Sequence, residues 1–415
     1  MTDTVRQKNR RALGMGIAFL VFALAIGLLF LRTTEAGLQT TFKFNLSGNE
    51  VAEVPNVVFP TRIGLIVLTT MAALLGVWQL AVGFERVNLV LGIVAGVFVL
   101  AFLTWAARDK SMNLAGMIGS TLLRAVPITL AALSGVMCER SGVVNIGIEG
   151  MMLTGAFLSA LIGSVAGSRW WGLLAALMGG GLMGALLAVL AIRYKVDQIV
   201  AGTAITILAT GLTSYFSSRY LQRNTALNSP PTFSALPLPV LSRIPILGPA
   251  LFDNTLIVYL TLALVGIIFV MLFRTRWGLR TRAVGEHPRA ADTLGVNVFL
   301  IRYVNVILGG MIAGLGGAYL VLSSVARFDE LMTAGKGYIG LAAMIFGNWN
   351  PIGAFGSSLI FGFADSLQTK LAILRVPIPS QFLLMAPYLV TMIVLAGVVG
   401  QSRPPAADGQ PYEKE

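Results

Sequence analysis

The sequence predicts an all-α membrane protein that crosses the bilayer about twelve times, and two observations predict it: the composition and the length of the uncharged runs. Of 415 residues, 56% are hydrophobic and 12% charged, with a mean hydropathy of +0.81. A soluble domain carries about 45–50% apolar and about 25% charged residues. The formal charge of +12 comes with no soluble basic domain that could present it to nucleic acid. It is read as loop charge facing anionic lipid headgroups. The single cysteine, Cys138, excludes an intrachain disulfide and reads as a packing residue inside an apolar run.

A membrane helix needs about 20 apolar residues. Uncharged runs of that order lie at 12–31, 63–83, 87–107, 150–168, 170–192, 198–218, 254–273 and 303–326. Three more regions are apolar but interrupted. The run 111–138 holds Arg124 and Pro127, 337–364 holds Gly347 to Pro351 ("GNWNP"), and 376–400 holds three prolines. Splitting 337–364 at Asn348 to Pro351 makes the tenth span unusually short. The run 12–31 is too long for a signal-peptide core and lacks a small-residue cleavage site, so it reads as an uncleaved anchor.

Basic residues orient the spans. "RQKNRR" near the start and six arginines from Arg274 to Arg302 are the densest clusters, which puts both on the cytoplasmic side. Counting spans between them agrees, and both termini are then cytoplasmic. Arg86, Arg140, Arg193 and Lys195 fall on the same side. The long loops 32–61 and 219–253 lie outside. The second is proline-rich with recurrent Leu and Ile, so it is expected to pack against the outer rim.

Within the inner cluster, "GLRTRAVGEHPRAADTLGVNV" (278–298) contains a short helix. Pro288 has the φ of a first helical position, residues 289–294 wind nearly two turns, and Gly295 is a natural C′ residue. Small Ala290 and Ala291 would let another protein come close. The alternative is a plain amphipathic turn at the interface.

This stretch resembles the cytoplasmic coupling loop of permease subunits from ABC importers of ribose, branched-chain amino acids and nucleosides. Three further stretches resemble the same family, nearest its simple-sugar/nucleoside branch: "ERSGVVNIGIEGMMLTGAF" (139–157), "YKVDQIVAGTAITILATGLT" (194–213) and "MTAGKGYIGLAAMIFGNWNPIGA" (332–354). The resemblance covers about 112–400, in order. It implies an inner-membrane permease subunit that pairs with a second permease, as a homo- or heterodimer. Solute would come from an extracytoplasmic binding protein or lipoprotein, and a separate ABC ATPase would bind the ATP. The ATPase contact would fall on Gly285, Glu286, Pro288, Arg289, Ala290, Ala291 and Gly295. The chain has no G-x-x-x-x-G-K-[ST] of its own, so it is expected to hold no cofactor. Residues 1–87 read as an extension with two spans and an outer loop, 88–402 as the permease domain and 403–415 as a cytoplasmic tail. The alternatives are a stand-alone secondary transporter or channel, and a membrane enzyme. The lone histidine, His287, lies in the coupling loop, so no His-based metal site or Ser-His-Asp triad can sit in the membrane.

A weak internal repeat points to the solute pathway. Offset by 193, residues 141–153 align with 334–346, matching Gly142 with Gly335, Ile146 with Ile339, Gly147 with Gly340 and Met151 with Met344. The expected topology sends the two copies into the membrane from opposite sides, as in an inverted repeat. Polar and aromatic residues nearby are the pathway candidates: Asn145, Glu149, Phe157, Tyr338, Asn348 and Asp365, with Asn350 beside them. Glu149 can equally be a charge on a helix N-terminus, and Asp365 an interhelix hydrogen-bonding group. Arg124 reads as a snorkelling or capping residue, and "GGGLMGA" (179–185) as close helix packing.

Overall fold

The computed structural model describes residues 2–45, 54–376, 382, 385 and 403–414. The chain divides into two compact units, one of residues 1–117 with 369–383, the other of 118–368 with 384–415.

In the first unit, α1 (Thr2–Ala25) runs on into a wider π turn (Ile26–Leu31) and is followed by β1 (Gln39–Lys43) and β2 (Val57–Pro60). Then come α2 (Thr61–Ala81), α3 (Val87–Ala106) and β3 (Lys110–Asn113). The strands form a small sheet in the order β2-β1-β3, with β1 antiparallel to β2 and parallel to β3. The sequence reading had no strand here. Short β-branched and aromatic stretches such as "TTF" and "VVF" sit in connections, where span counting sees only loop. The π turn after α1 meets α3 through rings: Phe30 lies 5.6 Å from Phe98, 5.6 Å from Phe102 and 5.5 Å from Trp105.

The second unit holds the remaining helices, apart from the first residues of the first of them and the last residues of the last. They are α4 (Leu114–Glu139), α5 (Ile148–Val165), α6 (Arg169–Ala188), α7 (Gln198–Phe216), the short α8 (Leu247–Leu251) and α9 (Leu256–Arg274). After these come α10 (Arg276–Glu286), α11 (Pro288–Thr293), α12 (Val298–Tyr319), α13 (Lys336–Phe346) and α14 (Pro351–Ile373). β4 (Ala235–Pro237) and β5 (Asp253–Thr255) pair across the 219–253 loop. Among the described residues, nine helices are long and apolar enough to cross a membrane. The eleven-residue α13 and then α14 follow them, divided where the sequence reading split 337–364. The last expected span, 376–400, lies almost wholly outside the described residues.

The run 111–138 is not broken. Its helix begins at Leu114, after Asn113 accepts the Gly116 N–H at 2.8 Å, and continues through Pro127. A proline inside a helix frees the carbonyl four residues earlier. Here that carbonyl, of Leu123, accepts the Tyr319 hydroxyl of α12 at 2.8 Å. Arg124, one residue on, is held by Asp365 of α14 at 2.7 Å.

At the centre, α5, α6 and α12 touch backbone to backbone. A methyl group on Gly180 would stand 2.2 Å from the Gly310 carbonyl oxygen, and one on Gly314 2.1 Å from that of Ala176. This is the close packing read from "GGGLMGA", since lipid tails leave helices to associate by contact rather than by hydrophobic exclusion. The 219–253 loop is anchored as expected: Phe233 is buried, its N–H donates to the Leu322 carbonyl at 2.8 Å, and its ring meets Trp170 edge-on at 5.2 Å.

Candidate solute pathway and coupling face

Between α4 and α5 the chain turns at Gly142 (φ +83°) and again at Ile146 and Gly147, the latter capping α5. Glu149 in the first turn of α5 is nearly buried and reaches across to the start of α13. Its Oε1 accepts the Gly335 N–H at 2.8 Å, and its Oε2 accepts the Gly337 N–H at 2.6 Å. One carboxylate therefore serves two helix N-termini, each with unpaired N–H groups and a partial positive charge. Gly337 makes the approach possible, because a methyl group there would lie 2.7 Å from the Glu149 Cα. The contact joins the two copies of the repeat. Their matched glycines share a left-handed backbone, φ +83° at Gly142 and +78° at Gly335, but helix begins at Ile148 in one copy and at Lys336 in the other.

The far end of α13 is fastened to the end of α4. Asn348 and Trp349 are left-handed (φ 55° and 52°), a conformation that a bulky residue holds only when its surroundings impose it. The Trp349 indole N–H donates to Glu139 at 2.6 Å, while Arg140 donates to the Trp349 and Asn348 carbonyls at 2.9 and 3.0 Å. The next helix starts as Asn350 accepts the Ile352 N–H at 3.0 Å. Eleven residues of helix span about 16 Å, roughly half of a hydrocarbon core of about 30 Å. The Glu149 contact and the Arg140 contact therefore lie at opposite ends of a helix about half as long as a full span.

The pathway candidates are placed unequally. Asn145 is fully buried, directs its amide at the sulfurs of Cys138 (3.3 Å) and Met151 (3.5 Å), and leaves its Oδ1 unpartnered. Phe157 is buried edge-on to Phe328 at 5.4 Å and tilted against Phe216 at 6.3 Å. Tyr338 is exposed on α13, one residue beyond the Glu149 contact. Asn348 takes part through its carbonyl, and Asp365 through its ion pair with Arg124. Glu139, Arg140 and Trp349 were missed as a group. Their only sign in the sequence is a charged pair closing a long apolar run.

The stretch 274–298 holds two helices, where the sequence reading saw one. Thr275 caps α10 by accepting the Gly278 N–H at 3.2 Å. His287 then caps α11 through Nδ1, which accepts the Ala290 N–H at 3.4 Å, with Pro288 in the first turn and Gly295 left-handed (φ +81°) after the end. Gly285 lies flush on the end of α4, where a methyl group would meet the Arg140 carbonyl oxygen at 2.3 Å. Arg140 and Arg282 both sit over the Phe273 ring, at 5.7 and 5.1 Å. Burial lowers the Arg140 pKa and nearby Glu286 opposes this. Ala291 faces inward beside Val284 and Ile301, while Glu286, Arg289, Ala290 and Gly295 are exposed. Leu294, 85% exposed at the tip, was not singled out from the sequence.

A bundle of membrane helices with a half-length helix at its core and a short, capped helix pair at one end defines the transmembrane subunit of a transporter, spanning the membrane many times. The chain belongs to the family described as branched-chain amino acid transport system / permease component, which it matches over residues 117–399. It is 42% identical over 304 residues to the guanosine ABC transporter permease protein NupQ of Bacillus subtilis, covering 71% of this chain and 95% of that protein. It is 39% identical over 310 residues to the nucleoside ABC transporter permease protein NupC of Lactococcus lactis, covering 72% and 96%. A more distant relative is the glucose ABC transporter permease protein TsgB13 of Haloferax volcanii, 28% identical over 251 residues and covering 58% and 66%.

Proposed function

We propose that this chain is the permease subunit of an ABC importer for nucleosides, receiving solute from an extracytoplasmic binding protein and driven by a separate ATPase seated on α11. The observation that carries this reading is the match to guanosine and nucleoside permeases over almost their whole length, with α11 inside it, capped at both ends and exposed at Ala290 and Leu294. A second permease copy or paralogue completes the pore, and both termini lie in the cytoplasm with 219–253 outside. Residues 88–402 carry transport and 1–87 are an addition to it. Solute passes the meeting point of α5 and α13, where Glu149 fixes the two helix starts and Tyr338 offers an exposed ring to a base. Asn145, Phe157, Asn348 and Asp365 shape the walls behind it.

Ala290→Arg tests the coupling. A charge forced into a protein interface costs several kcal/mol, which is a loss of about a hundredfold or more in affinity. The variant is expected to reach the membrane at wild-type levels, lose the copurifying ATPase and stop uptake of labelled guanosine. Wild-type ATPase recovery and uptake would overturn the coupling reading. Uptake that sugars compete away and nucleosides do not would overturn the substrate.

A further inference from the structure

The segment 403–414 folds back onto the coupling helices, and nothing in the sequence signalled it. The Ala407 N–H donates to the Gly285 carbonyl at 2.9 Å, and the Ala406 N–H donates to the Glu286 carboxylate at 3.2 Å. Arg302 of α12, 1% exposed, donates to the Gln410 carbonyl at 2.9 Å. Tyr412 is buried in the apolar cluster of Val284, Ala291, Val298 and Ile301, with its ring 5.4 Å from that of Phe299. Beyond it, Glu413 pairs with Lys195 of the α6–α7 connection, and Lys414 approaches Asp292 of α11 at 3.8 Å. Gly142 leaves room for the crossing, since a methyl group there would stand 3.1 Å from the Ala407 carbonyl oxygen.

We infer that residues 403–414 are a clasp, an intramolecular part of the coupling face that holds the α10–α11 pair against the ends of α4 and α12 so that force on α11 reaches the membrane helices. The inference rests on the reading of α11 as the ATPase contact. The tail touches both α10 and α11, as well as α12 and the α6–α7 connection, while the outward residues Ala290 and Leu294 stay uncovered. A strap that blocked docking would cover them instead.

Asp408 gives the clasp a pH response. It is partly buried, facing the Glu139 carboxyl and Cys138 of α4 and the Arg302 guanidinium of α12. Burial pushes its pKa up to about 6, while its hydrogen bond with Glu139 and, more weakly, the Arg302 guanidinium pull the other way. An acid whose pKa is raised by docking binds its proton more tightly when docked. Through this group docking is therefore strongest below the undocked value and weakens as pH rises through about 6. By linkage, the docked-to-free ratio should rise as the pH falls from about 7.5 to about 5.

The test places a nitroxide on Pro411→Cys in the full chain within its complex, where an immobile spectrum reports a docked tail without reference to transport. The wild-type background should be immobile, and a mobile label would overturn the clasp. Tyr412→Ala should lower the docked-to-free ratio at least tenfold and reduce uptake severalfold at equal membrane level, and removal of 403–415 should do the same. Uptake at or above the wild-type rate in a variant whose tail is free would overturn the mechanical role and leave a loose end or an inhibitory strap. An unchanged spectrum in Tyr412→Ala would overturn the seat assigned to the ring. In that variant the ratio should rise as pH falls, and Asp408→Asn should abolish the rise; a flat response before that substitution would remove Asp408 from the clasp. Because the label reads docking alone, it can succeed even where Ala290→Arg shows that α11 does not bind an ATPase.

Discussion

Glycine means different things in the two compact units. In α5, α6 and α12 it lets backbones touch: a methyl group on Gly317 would come within 2.0 Å of the Met152 carbonyl oxygen, and those on Gly180 and Gly314 fare no better. In α3, Gly92 and Gly96 face open space, with nothing within 4 Å of an added methyl group. The helices of the first unit are joined by side chains instead: methyl groups on Gly16 and Gly76 would meet the Leu80 and Leu20 side chains at 2.4 and 2.8 Å, and Phe30 meets the rings of Phe98, Phe102 and Trp105 of α3. Backbone contact has no soft coordinate, because neither chain can turn a rotamer out of the way. Ring contact can adjust. The seam of α5, α6 and α12 is thus suited to be the frame against which Glu149 holds α13.

The largest effect should come from breaking that seam. Gly314→Leu drives a side chain into the Ala176 carbonyl, so the cost should exceed the about 1–3 kcal/mol of ordinary overpacking. The expected outcome is loss of the monodisperse peak in size-exclusion chromatography of the detergent-solubilised protein. A normal peak would mean that the helices can part without harm.

Next is Glu149→Ala, which leaves the Gly335 and Gly337 N–H groups unpaired, each at about 1–3 kcal/mol. A lowered melting temperature with reduced uptake is expected. Glu149→Gln retains one acceptor and should fall between the two. If Glu149→Gln melts as wild type yet loses uptake, the carboxylate acts on solute as well as on α13.

Phe30→Ala removes three ring contacts, each worth about 0.5–1.5 kcal/mol, and lipid can enter the gap. A fall in melting temperature smaller than that of Glu149→Ala is expected. The smallest change belongs to Gly96→Ala, which meets nothing and adds a better helix former, so its stability should stay within about 1 kcal/mol of wild type or rise. A collapse comparable with that of Gly314→Leu would show that α3 is packed against a partner and would erase the contrast between the units.

Local chemistry wrote much of the architecture into the chain. The apolar runs gave the long helices, because the thickness of the bilayer sets one required length. Pro288 and Gly295 marked the start and stop of α11, and Asn348 to Pro351 marked the division of the tenth run. These signals act within one or two turns of backbone. Arg124 and Pro127 looked like a break because, read alone, a charge and a lost hydrogen bond are defects in a membrane helix. In the folded chain Asp365 and the Tyr319 hydroxyl repair both, from α14 and α12.

What the sequence by itself determined is where the helices lie, where they are capped, and that the polar residues within them need partners. Only the tertiary structure decided who those partners are: α13 for Glu149, the end of α4 for Trp349, and residues 403–414 for Arg302. The physical reason is that a buried polar group must be satisfied, but periodicity and propensity report only on neighbours a few residues away, and each of these partners lies more than a hundred residues along the chain.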